Sequence, residues 1–332
     1  MPHRYKTPTT VVLTAACAAL LTAFAAPVSA QAFPNKPIRF VIPFPAGSAS
    51  DTVYRPVLEH MSKTLGQNVL LDPRPGGGGT VAVAHMKTLP ADGYAFYLAS
   101  NTLVAQSLRR DALVDIRRDF SPIGPATDSA LVVAVNADLN IKTLKDLVER
   151  ARANPGKLNY SSYGIGSGAH VFMELLKQEA KIFMLHIPYQ STAAATADAA
   201  AGRVEVTGTV LSTARAFVAE FGGSGKLRLI AVGSTERSPL MPGVPGMKES
   251  GFPQIDFSLW GGFVGPAGLP EAVVETLVRA KEAAYKDPKI MELVARFGQV
   301  PRPGGASDLA RIINREYDAL ARLIKEYGLT LE

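Results

Sequence analysis

The stretch Lys36-Pro-Ile-Arg-Phe-Val-Ile-Pro-Phe-Pro-Ala-Gly-Ser-Ala-Ser-Asp51 constrains the fold of this chain more than any other. Ile38 to Ile42 is short and β-branched, the pattern of a buried strand. Pro43, Pro45 and Gly47 stop it, and Ser50 or Asp51 can cap a helix whose apolar face runs through Val53, Val57 and Met61. A strand feeding straight into a helix leaves several N–H groups at the helix start without intrahelical partners. The helix dipole favours negative charge beside them. The loop holds Ala, Gly and Ser but no Lys, Arg, His or Cys, which suits holding an anion with neutral donors. An ordinary turn of an α/β domain would look the same.

The unit recurs. Asn68 to Leu71 reads as a strand ending in Asp72-Pro-Arg-Pro-Gly-Gly-Gly-Gly79, with a helix from about Val81 to Leu89. Tyr94 to Ala99 is a third strand, ending in Ser100-Asn101-Thr102. Regular alternation with short loops predicts a mostly parallel sheet wound by helices. Leu131 to Val135 reads as a strand crossing into a second lobe, where Thr143 opens a helix that buries Leu144, Leu147 and Val148. There Leu158 to Ser161 leads into Tyr163-Gly-Ile-Gly-Ser-Gly168, and Met184 to Ile187 into Pro188-Tyr-Gln-Ser-Thr192 and the helix Ala193 to Ala201. Val204 to Val206 leads into Gly208-Thr-Val-Leu-Ser-Thr213, and Leu227 to Val232 closes the series. Glu236 to Pro253, rich in Pro and Gly, reads as a connector; Leu259 to Val264 is a return strand, and two amphipathic helices end the chain. The expected layout is a first lobe of residues 31–132 and 258–332 and a second lobe of residues 133–257. Ligands of such sheets sit outside the carboxyl ends of the strands, in the cleft between lobes.

The first residues point to export. Arg4 and Lys6 precede an apolar run from Val11 to Phe24, too short to span a membrane, and Val28-Ser29-Ala30 offers small residues for cleavage near Ala30-Gln31. Ala30-Gln31-Ala32 is a second possible site. Residues 1–30 are thus expected to be a signal peptide and the remainder an exported, soluble chain. The only cysteine, Cys17, lies in the apolar run, and Thr14 stands where a lipoprotein signal wants an aliphatic residue. The mature chain would have no thiol or disulfide. Removing Arg4 and Lys6 takes the net charge from +6 to +4. Apart from Arg109-Arg110 and Arg117-Arg118 the basic residues are scattered, so nucleic acid is not an expected partner. A monomer is expected.

Enzyme signatures do not hold together. Gly164-Ile-Gly-Ser-Gly-Ala169 fits a dinucleotide loop, but the next strand ends in Ile187-Pro-Tyr-Gln190 without the acid that would hold a ribose. Gly76 to Gly79 lacks a following Lys-Ser or Lys-Thr, and no G-x-S-x-G elbow occurs. His170 near Ser167 could be half of a hydrolytic pair or a histidine bonded at a helix start. His60, His85, His170 and His186 show no zinc spacing. Arg74 could face a carboxylate or pin its own loop, and Trp260 fits either a cleft wall or the core. Many neutral donors and no convincing catalytic pair describe a binder that needs neither metal nor cofactor.

The ordered blocks Lys36-Pro-Ile-Arg, Pro43-Phe-Pro-Ala-Gly47, Leu65-Gly-Gln, Arg74-Pro-Gly, Asp92-Gly-Tyr and Asp119-Phe-Ser-Pro carry a resemblance. It continues through Pro155-Gly-Lys-Leu-Asn-Tyr-Ser-Ser162, His186-Ile-Pro-Tyr189, Arg237-Ser-Pro-Leu-Met-Pro and Gly265-Pro-Ala-Gly-Leu-Pro270. Over essentially the whole mature chain the sequence resembles the Bug-type solute receptors of tripartite tricarboxylate transporters, within the type II periplasmic binding protein class. The resemblance implies a two-lobed α/β receptor that closes on a small carboxylate, a di- or tricarboxylate or an aromatic acid, and delivers it to integral-membrane permease subunits. A module signalling to a membrane sensor and, more remotely, an exported hydrolase are the other readings. Carried over residue by residue, the first-lobe candidates are Phe44, Ala46, Gly47, Ser48 and Asp51, with Gly77, Gly78 and Ser100 nearby. The second-lobe candidates are Ser162, Tyr163, Gly166, Ser167 and His170, with Tyr189 and Thr209. Three departures stand out: Ser48 replaces a second glycine, Tyr189-Gln-Ser replaces Tyr-Lys-Gly, and Thr209-Val210 replaces an Asp-Asn pair. Losing that acid disfavours an amino-acid ligand, whose ammonium it would pair, and favours a plain or aromatic carboxylate.

Overall fold

The computed structural model describes residues 33–76, 79–328 and 331. Two sheets organise residues 36–332. The first contains β1 (Ile38–Ile42), β2 (Val69–Pro73), β3 (Ala95–Ser100), β4 (Phe120–Ser129), β10 (Leu259–Pro266) and β11 (Gln299–Pro301), in the order β11-β4-β10-β3-β1-β2. The second contains β5 (Leu131–Asn136), β6 (Asn159–Ser162), β7 (Leu185–Pro188), β8 (Val206–Val210) and β9 (Leu227–Val232), in the order β7-β6-β8-β5-β9. In each sheet three strands are parallel, β2-β1-β3 and β7-β6-β8. The remaining pairs are antiparallel because the chain runs out and back between the lobes. Only Ala130 separates β4 from β5, and residues 233–258 lead back to β10.

Helices cover the sheets: α1 (Ala49–Leu65), α2 (Thr80–Met86), α3 (Asn101–Ser107) and α4 (Ile116–Asp119) in the first half. In the second lobe follow α5 (Leu144–Ala153), α6 (Gly168–Ala180), α7 (Thr192–Ala200) and α8 (Leu211–Ala214), and after β10 come α9 (Glu271–Ala284), α10 (Pro288–Arg296) and α11 (Ala306–Tyr327). Val53, Val57 and Met61 of α1 are fully buried, as their spacing predicts. Thr143 opens α5 through a reciprocal capping box with Asp146. Under α1, the ring of Phe40 lies 4.8 Å from those of Phe96 and Phe263, and each fully buried ring contributes roughly 1.5–3 kcal/mol.

Four elements differ from expectation. β4 was not assigned from the sequence; it carries Pro122, Gly124 and Pro125, and it pairs because the ladder with β10 is irregular beside both prolines. β11 has three residues, too few to show a period. The C-terminal region holds three helices rather than two, since Asp287 caps a new one that Pro288 opens. β8 begins at Val206, where the strand was expected to end, so Gly208 and Thr209 lie within it.

Candidate functional site

Two helix starts face each other across the lobes, built to one plan. In lobe 1, Gly47 adopts φ 78° and donates its N–H to Asp51 Oδ2 at 2.7 Å, while Ser48 Oγ accepts from Asp51 N at 3.2 Å. In lobe 2, Gly166 adopts φ 73° and donates to His170 Nδ1 at 3.0 Å, while Ser167 Oγ accepts from His170 N at 3.3 Å. Glycine takes this left-handed conformation without a Cβ penalty. The serines are the N-caps of α1 and α6, with nearly equal backbone angles. Each cap leaves first-turn N–H groups without intrahelical partners at the positive end of a helix dipole. Arg55 balances Asp51 at 2.7 Å, whereas the lobe 2 cap is uncharged when His170 is neutral.

A cavity of about 430 Å³ lies between them. Ser50 of α1 and Gly168 of α6 both line it, with Ser100, Asn101 and Thr102 at the start of α3. Its floor is Leu259-Trp260-Gly261 of β10, with Tyr54 and Thr127 beneath. Tyr54 and Thr127 share a hydrogen bond of 2.9 Å. A second, larger cavity of about 690 Å³ adjoins at Thr102, Ile165 and Gly166.

The floor is braced where the chain crosses between lobes. Asn101 Oδ1 accepts from Trp260 N at 3.1 Å, and Asn101 Nδ2 donates to Ser258 O and to Glu316 Oε2. Trp260 Nε1 donates to the same Glu316 oxygen at 2.5 Å. Desolvation pushes the Glu316 carboxyl up to about 7 against the lowering effect of these donors. Ser258 Oγ donates to Asp128, which Arg302 holds at 2.8 Å, so both crossing segments are tied together. Behind them Arg322 of α11 pairs with Glu179 of α6 at 3.1 Å.

The loop of lobe 2 rests on a stack of rings. His170 lies on His186 (4.1 Å between centroids) and His186 on Tyr160 (4.8 Å). Ser162 Oγ is 2.8 Å from His186 Nε2. Tyr160 donates to Glu174 Oε1, which Lys177 also holds. Burial lowers both imidazoles to about 4, and for His186 the neighbouring His170 adds to the effect. His170 therefore uses its Nδ1 lone pair to hold Gly166, and Ser162 is fully buried. Neither serine–histidine pair is arranged as an accessible nucleophile with a free base.

Of the residues expected at the site, Phe44, Ser100, Tyr163, Gly166 and Ser167 line the cavity. Gly47, Ser48, Asp51, Ser162 and His170 stand behind it and hold its loops. Ala46 is exposed and outside the lining. Tyr189 and Thr209 are not brought to the cavity. Tyr189 donates its hydroxyl to Asp198 at 2.7 Å. Thr209 sits fully buried in β8, 2.7 Å from the Thr196 hydroxyl, because that strand extends past the expected boundary. Gly77 and Gly78 fall outside the described residues. The expected set lacks Ser50, Asn101 and Leu259. The echo of Gly47-Ser-x-x-Asp51 in Gly166-Ser-x-x-His170 would have pointed to Ser50 and Gly168 together.

Residues 53–329 match the profile described as "Tripartite tricarboxylate transporter family receptor". A UPF0065 protein in the tcbD-tcbE intergenic region of Pseudomonas sp. (strain P51) is 33% identical over 303 residues, 90% of this chain and 88% of that protein. Protein BugT of Bordetella pertussis is 30% identical over 311 residues, 93% of this chain and 94% of its own. Among solved structures, R. palustris Rpa4515 with adipate is 26% identical, with a TM-score of 0.70 over 90% of this chain and 99% of that one. MatC (Rpa3494) from Rhodopseudomonas palustris with bound malate is 26% identical, with a TM-score of 0.67 over 88% and 100%.

Proposed function

This chain belongs to the tripartite tricarboxylate transporter receptor family, and from that premise we propose that it is an exported periplasmic receptor that closes its lobes on a small carboxylate and hands it to membrane permease subunits. One observation carries this reading: two matched, serine-capped helix starts, one from each lobe, border a single cavity. A carboxylate between them would accept from first-turn N–H groups and hydroxyls of both lobes, so binding and closure are one event. Each dipole contributes about 0.3–1 kcal/mol at a surface and up to ~2 kcal/mol when partly buried. The relatives solved with adipate and with malate support a carboxylate ligand.

The protein acts as a binder, not an enzyme, and works without metal or cofactor as a monomer freed of residues 1–30. No helix among the described residues is long and apolar enough to cross a membrane. A sensing role would use the same closed surface. Thermal-shift screening of the purified chain over carboxylates tests the ligand class, because saturation at 100 times Kd adds about 2.7 kcal/mol. Deleting the gene then separates the roles: lost uptake supports delivery, and a lost transcriptional response with intact uptake supports sensing.

A further inference from the structure

The segments that cross between the lobes have a cavity on either side. In front, Ser129 and Leu259 border the cavity between the helix starts of α1 and α6. Behind, Phe257 and Ser258 border a smaller one of about 190 Å³ between α6 and α11, and Trp260 stands between the two. Lobes that pivot on these segments must part at the rear as they close at the front.

The rear seam is held by charge. Arg322 of α11 reaches Glu179 of α6 at 3.1 Å, and Arg315 of α11 reaches Asp256 at 2.7 Å. Both arginines belong to lobe 1, and both acids are fixed in lobe 2. Glu179 also accepts from Gln254 Nε2 at 2.8 Å, and Asp256 accepts at 3.1 Å from the N–H of Thr235, just after β9. Leu175 of α6 and Ile312 of α11 border the rear cavity rather than close it, so the seam parts at a smaller cost than a close-packed interface would impose. At the front, Phe44 of lobe 1 and Ile165 of lobe 2 are 38% and 48% exposed. The cleft is thus open to solvent while both rear pairs are made.

We propose that Arg322–Glu179 and Arg315–Asp256 form a latch behind the hinge that holds the cleft open and sets the affinity of the receptor; this rests on the reading that the lobes close on a ligand. Closure pulls the two pairs apart, so ligand binding works against them. A contact made only in the open state lowers the apparent affinity by the factor it adds to the open population. Exposed ion pairs are worth up to about fivefold each, so removing both should tighten binding about three- to tenfold.

The test measures the lobe separation without ligand and the affinity with it. Spin labels at Thr52→Cys and Gln190→Cys, exposed positions after β1 and β7, report the distance across the cleft, and Cys17→Ser leaves them the only thiols. In ligand-free protein the double variant Arg315→Ala, Arg322→Ala should enlarge the short-distance population at least threefold. The charge swap Glu179→Arg with Arg322→Glu should keep the original distribution, whereas Arg322→Glu alone should shift it as the double variant does. An unchanged distribution in the double variant, even with lowered stability, would make these pairs structural only and overturn the proposal. Calorimetry with malate, adipate and benzoate gives the second readout. Any of these acids that binds the original chain should bind the double variant threefold or more tighter, and equal or weaker binding would overturn the latch. If none of them binds, the carboxylate reading fails, and the spin-label distances still decide whether the rear pairs hold the cleft open.

Discussion

Replacing Glu316 by Gln should make the protein more stable, and only above acidic pH. The carboxylate accepts from Trp260 Nε1 and Asn101 Nδ2, and an amide oxygen can accept both bonds. What the amide cannot do is ionise. Desolvation raises this carboxyl from 4.5 to about 7, so the folded state holds its proton where the unfolded chain has lost it. Stability from this group is complete below about 4.5 and is lost as pH rises to about 7. The full difference corresponds to about 3 kcal/mol. The side chain as a whole keeps some exposed surface although its carboxyl group is enclosed, and water there reduces the effect to about 1–3 kcal/mol. Urea unfolding of both proteins at pH 4.5, 6 and 8 measures it. The gain from Glu316→Gln should be near zero at pH 4.5 and reach its plateau by pH 8. Other titrations, including those of the histidines, cancel in the difference. An equal gain at all three pH values would show that Glu316 ionises as an ordinary exposed carboxylate, and the reasoning would fail.

His170 works in the opposite direction: its folded value is depressed from 6.5 to about 4, so its stabilising contribution is present above about 6.5 and is lost as pH falls to about 4. Up to about 3 kcal/mol should disappear over that window, and His170→Asn should flatten the loss in urea melts. Thr209→Asp places a carboxylate in a fully buried position beside Thr196; a loss of about 3 kcal/mol or more is expected in thermal melts, whereas Thr209→Val should cost under about 1.5 kcal/mol because Thr196 keeps its bond to Thr192 O. Gly166→Val and Gly47→Val should each cost about 1–2 kcal/mol for their left-handed backbone. Only Gly166 lines the cavity, so calorimetry should find the larger loss of carboxylate affinity in Gly166→Val.

The sequence made the regular parts of the fold legible. Ile38–Ile42 and Leu227–Val232 were read at their observed bounds, since β-branched runs with sharp stops have few alternatives. The buried face of α1 followed from helical spacing. β4 was hidden because its prolines sit at irregular points of the ladder, a matter of pairing with β10 rather than of local pattern. At the site, the sequence singled out Ser100, Gly166 and Ser167, which line the cavity, but not which donors are spent within the loops; Gly47 and Gly166 N–H groups are. The contact of Asn101 with Glu316 spans 215 residues and joins the start of α3 to α11, so no local signal could reveal it. Thr209 was misplaced by the register of one strand end, enough to move it from cleft to core.

Small-angle X-ray scattering of the purified chain, with and without millimolar benzoate, adipate or malate, tests most directly whether the lobes close on a carboxylate. At least one of these acids should reduce the radius of gyration, benzamide should not, and Gly166→Val should abolish the change. An unchanged radius with all three acids, or the same contraction with benzamide, would contradict a carboxylate held between the helix starts of α1 and α6.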